Sequence, residues 1–106
     1  MSWKDQHART EVLRTVLARA ALDPADPQLF TGIPDLERLF GDVDGVLLAL
    51  RYRWNIHLEA KLDQALAHGR PSTDAYLELA AEQPALYAVL EAQYRRRIHA
   101  PEVMAR

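Results

Sequence analysis

Cysteine is absent from these 106 residues, which excludes disulfides, thiolate zinc sites, iron–sulfur clusters and cysteine nucleophiles. Serine is almost absent too. Ser2 and Ser72 are the only two, neither lies in a G-x-S-x-G turn, and both fall where a helix N-cap is expected. The four glycines stand singly at 32, 41, 45 and 69, so there is no glycine-rich phosphate cradle. Long apolar runs are missing as well: the longest, VLLAL at 46–50, is far short of the roughly 20 residues a membrane span needs. The opening MSWKDQHARTEV has no apolar stretch of the kind a signal peptide carries, so a cytoplasmic location and no membrane partner are expected. Lysine occurs twice against eleven arginines, a bias that suggests a GC-rich bacterial genome.

What is present is ample hydrophobic content, 49% of the chain, enough for one small core. The formal charge of −2 is unevenly spread. Residues 1–22 carry +2, 23–45 carry −5, 46–70 carry +2, 71–83 carry −3 and 84–106 carry +2. Alternating blocks in a nearly neutral chain argue for charge matching within the molecule rather than for a polyanion-binding surface.

Helix-favouring residues dominate, so the expected fold class is all-α: a small four- to five-helix bundle with a long central third helix. A first helix is predicted over 3–22, with Ser2 and Asp5 in a capping-box-like arrangement and Val12, Leu13, Val16, Leu17 and Ala20 on its buried face. DPADP at 23–27 stops it, because proline biases the preceding residue away from the helical region. A short second helix over 34–40 takes Pro34 in its first turn and Gly41 at its C-terminal cap, and Phe30, Ile33, Leu36, Leu39 and Phe40 supply core contacts. Asp42 or Asp44 caps the third helix, 44–68, which Gly69 ends. Ser72 or Thr73 caps a fourth helix, and Pro84 marks a break or a kink. A last helix over 84–97 buries Leu86, Val89, Leu90 and Tyr94. One domain is read over 1–98, with 99–106 as a frayed tail.

Chemistry finds little purchase. His7 with Glu11, and Glu59 with Asp63, stand one helical turn apart and could share an ion, but Glu-x-x-His and H-E-x-x-H are both absent. GDVDGV resembles part of a calcium loop. Aligned on Gly45, however, it puts Arg51 where the closing glutamate belongs, and helix capping explains both aspartates better. No catalytic residue, metal site or cofactor is expected. Arg95, Arg96 and Arg97 in YRRR, with RYRW at 51–54, are the candidate nucleic-acid contacts. Against them stand the acidic 23–45 block and the fact that arginines in a last helical turn favour its negative end.

LLALRYRWNIHL, 47–58, poses the sharpest question. Leu47, Leu50, Trp54 and Leu58 share one apolar stripe, with Arg51 near its middle. The favoured reading is an ion pair from Arg51 to Asp35, Glu37, Asp42, Asp44 or Glu78, its stem packed beside Trp54. The rival is an anchor for an anionic ligand or a partner's carboxylate. Tyr52, Ile56 and Ala60 on the opposite side make this helix apolar nearly all round, so that side needs cover from the bundle or from another subunit. Arg51, Tyr52, Trp54 and Ile56 are therefore the candidate interaction residues. The expected function is a non-enzymatic protein-interaction domain, binding a protein partner or a second copy as a homodimer. A small nucleic-acid-associated regulator and a small-ligand or metal carrier are the alternatives.

Overall fold

The computed structural model describes residues 2–104, with side chains for residues 2–96. Within them the chain forms five helices and no strand: α1 (Trp3–Leu22), α2 (Leu36–Phe40), α3 (Val43–Ala67), α4 (Ser72–Glu82) and α5 (Pro84–Met104). This is the small all-α bundle expected, with α3 central: it packs on α2, α4 and α5, whereas α1 leans chiefly on α5 and α2. The core comprises Val12, Val16 and Ala20 of α1, Leu29 and Leu36, Val46, Leu47, Leu50 and Trp54 of α3, Leu79 of α4, and Leu86 and Val89 of α5. No polar or charged side chain is buried among the described residues.

Local chemistry sets the helix ends. Ser2 accepts a hydrogen bond from the Asp5 amide at 3.1 Å and starts α1. Asp42, rather than Asp44, caps α3 by accepting from the Gly45 amide at 3.0 Å. At the far end of α3 the Arg70 amide donates to Ala65 and the Gly69 amide to Leu66, with Gly69 at φ +66°. That is a Schellman closure, and its left-handed residue explains why the helix ends at a glycine. Gly45 answers a different need: a Cβ there would lie 1.9 Å from the Phe40 carbonyl oxygen, so α2 and α3 meet this closely only because position 45 has no side chain.

Four expectations need correction. Ser72 is the first residue of α4 and not its cap; Pro71 holds the cap position with no side-chain bond. Pro34 lies outside α2, because Asp35 adopts a left-handed φ of +69° that no helix can pass through, and the helix begins only at Leu36. Tyr94 is 57% exposed rather than buried. Finally, α5 continues past Arg97 to Met104.

The segment between α1 and α2 is held without a helix of its own. Asp23 and Asp26 accept from the Ala25 and Gln28 amides two residues on, in Asx turns, and Arg19 of α1 donates to the carbonyls of Gln28 and Thr31 at 2.9 and 2.7 Å. Leu29 is buried as a result.

Candidate functional site

α3 presents two sides of opposite character. Toward α4 and α5, Trp54 meets Tyr76 edge-on at 5.7 Å between ring centres and Tyr87 at 5.9 Å, while Tyr76 and Tyr87 stand edge-on to each other at 6.2 Å. Three rings from three helices thus fill one another's faces and edges, an arrangement in which each pair adds about 0.5–1.5 kcal/mol beyond area burial. Burial pushes the Tyr76 phenol above its ordinary value of 10.0, and Tyr87 and Glu91 add in the same direction. With centroid separations this short the rings pack on one another, and a hollow of about 270 Å³ shared with Arg51, Leu90, Glu91 and Tyr94 lies against them.

Toward α1 the same helix is open. Leu48 is 70% exposed, Tyr52 68% and Ile56 48%, one helical turn apart in sequence. With Leu13 and Arg9 of α1, and Gly45, Ala49, Arg53 and His57 of α3, they line a groove of about 730 Å³. Its floor is low because positions 45 and 49 carry almost no side chain. No carboxylate lines it. Arg9 is fixed in place: its guanidinium donates to the Leu39 carbonyl at 2.9 Å and lies 4.3 Å over the centre of the Phe40 ring. A second hollow on the same side is lined by Thr10, Arg14, Leu17 and Ala18 of α1, and it shares Arg53 with the groove.

The candidate residues on α3 therefore part company. Tyr52 and Ile56 share the open groove. Trp54 is 7% exposed inside the aromatic cluster. Arg51 is exposed on a third aspect, in a shallow depression with Asp44, Leu47, Leu48, Leu90, Gln93 and Tyr94. The expected tie from Arg51 to the acidic block is not formed: among the described residues no hydrogen bond or ion pair reaches it. At roughly 100° per residue it falls beyond Leu58, on the rim of the apolar stripe rather than inside it. Other groups hold several of the carboxylates. Arg38 pairs with Asp5 at 3.1 Å and Asp35 at 3.2 Å, which holds its guanidinium above its ordinary value, Asp42 is spent on its cap, and Arg70 bonds Glu78 at 3.0 Å. That last bond pulls the Glu78 carboxyl below its ordinary value. Besides Arg38, the arginines that tie α1 to the 28–39 stretch are Arg9 and Arg19, which act on backbone carbonyls.

Arg95 is drawn to Glu91 at 3.4 Å on its own helix, Arg96 is exposed beside the 24–30 segment, and the Arg97 side chain lies outside the described residues. Among the described residues no three His, Asp or Glu side chains converge on a point, and Glu11 is engaged by Arg14. No described helix is long and apolar enough to cross a membrane. Sequence reasoning missed Leu48 and Arg9, and singled out Arg53 only within RYRW as a candidate nucleic-acid contact. Leu48 was findable, standing one turn before Tyr52 on the same side; Arg9 was not, because its place depends on where α2 lies. No protein family, curated protein or solved structure matches the chain.

Proposed function

We propose that this chain is a non-enzymatic helical domain that works by binding another protein, with the α3 side carrying Leu48, Tyr52 and Ile56 as its contact surface. One observation carries the reading: three large apolar side chains stand in solvent along one line of the central helix, beside an open groove, while Val46, Leu47, Leu50 and Trp54 of the same helix are buried. Scattered exposed apolar residues are ordinary, whereas a contiguous apolar groove rimmed by polar groups is how interaction sites look. The surface offers no nucleophile beside a base and no converging carboxylates, which supports binding over catalysis.

A photocrosslinking benzoyl-phenylalanine placed at position 52 or 56 in the native cell tests this. Protein adducts are expected from both positions and none from position 77, an exposed leucine on α4. Light scattering on the purified chain assigns the adduct to a second copy or to another protein. Absence of adducts at 52 and 56, or equal yields at 77, overturns the reading.

A further inference from the structure

The charges around the groove narrow what it can hold. Arg9 and Arg53 are half-buried at its edges and His57 stands beside them, yet no acidic side chain lines the cavity. Arg53 has no hydrogen bond or ion pair among the described residues, and Arg9 is satisfied only by a carbonyl and a ring face. A partly desolvated guanidinium with no counter-charge is unfavourable until a carboxylate reaches it, and arginine is the side chain suited to take one in two-pronged fashion. Further along α3, Glu59 and Asp63 lie one and two turns beyond Ile56, so the cationic border is confined to the 45–57 stretch.

We propose that the groove between α1 and α3 binds an amphipathic helix of a partner protein. Its apolar ridge would seat on Leu13, Leu48, Tyr52 and Ile56, and its flanking carboxylates would pair with Arg9 and Arg53. This rests on the protein-binding reading above and names the partner's chemistry. The walls are two helices with no strand edge to extend, so the recognition mode is a helix laid in a groove, read through anchors at i, i+3 or i+4, and i+7. Gly45 and Ala49 on the floor let a partner backbone approach closely. A nucleic acid would satisfy the arginines but leave Leu48 and Ile56 in water. A two-fold antiparallel seam of α3 against its copy would set the cationic edge against itself.

The test uses the whole chain and two fluorescent peptides of about five helical turns, sharing one leucine ridge, flanked in one by glutamate and in the other by lysine. Fluorescence anisotropy is expected to show saturable binding of the glutamate peptide, at least about tenfold tighter than the lysine peptide and weakening as salt rises. Arg53→Glu should reverse the preference and Ile56→Asp abolish binding; Arg53→Gln, which keeps the size without the charge, serves if the reversal variant melts early by circular dichroism. Equal affinity for the two peptides, binding unchanged in the Arg53 variants, or displacement by single-stranded DNA overturns the proposal. So does a dimer in light scattering that Ile56→Asp dissolves, which would give the groove to a second copy. Adducts from position 52 combined with equal peptide affinities overturn the acidic helix alone, whereas absent adducts overturn the wider reading.

Discussion

On its α4 and α5 side, α3 brings Trp54 against Tyr76 and Tyr87 and leaves 7% of the indole exposed; on its α1 side it leaves Tyr52, two residues earlier, 68% exposed. Both are large aromatic side chains on one helix, and both would serve a core. The difference lies in what faces them. α4 and α5 are joined at Pro84 with only Gln83 between them, so they close on α3 together, whereas α1 rests on α5 and α2 and stands off from α3's outer edge. One side of the helix holds the fold together, and the other stands open to solvent.

Substitutions can break that contrast. Trp54→Ala is expected to cost about 3–5 kcal/mol in chemical denaturation, the range for truncating a buried aromatic, while Tyr52→Ala should stay within about 0.5 kcal/mol. Equal losses at the two positions would mean that the α1 side is as closed as the other. Gly45→Ala probes the joint beneath the groove. Helix propensity alone favours alanine by about 1 kcal/mol, but the new methyl would lie 1.9 Å from a backbone oxygen that cannot swing aside. A net loss of about 1–3 kcal/mol is expected, and an unchanged or raised melting temperature would show that α2 shifts freely.

The smallest effect concerns the closed side's outer rim. Glu78 has its carboxyl lowered below 4.5, first by its hydrogen bond from Arg70, and that pair ties the α3–α4 turn to α4. A lowered folded value means the stabilisation is present above about 4.5 and lost as pH falls through the folded value. Wild type should therefore melt slightly above Glu78→Gln at neutral pH, with the two curves converging in acid. The gap is small because both partners are partly solvated. A pH-independent gap would assign the effect to packing instead.

Much of the fold was legible one residue at a time. The bounds of α1, the Ser2 cap, the close at Gly69 and the break at Pro84 each follow from the preference of a single residue type for one backbone state, so no knowledge of neighbours was needed. The errors share the opposite property. Ser72 has the right chemistry for a cap, but Pro71 took that position; Asp35 turned left-handed where a helical first turn was expected; and Tyr94 carries a ring that its neighbours among the described residues cover only in part. Arg51 is the clearest case. Its sequence neighbourhood is apolar and an acidic block precedes it, yet carboxylates it was expected to find are held by Arg38, by Arg70 and by the α3 cap.

Sequence by itself determined that this chain is helical, where its helices start and stop to within a few residues, the C-terminal end of α5 excepted, and that α3 is apolar on more than one side. Those are properties of local backbone preference and of the 3.6-residue period. Only the tertiary structure decided which apolar side is core and which is groove, because that depends on where α1 comes to rest. Arg9 gripping the Leu39 carbonyl, Arg19 gathering the 28–31 carbonyls and Phe40 pressed against a bare Gly45 set that position, and each joins residues whose meeting no local pattern encodes.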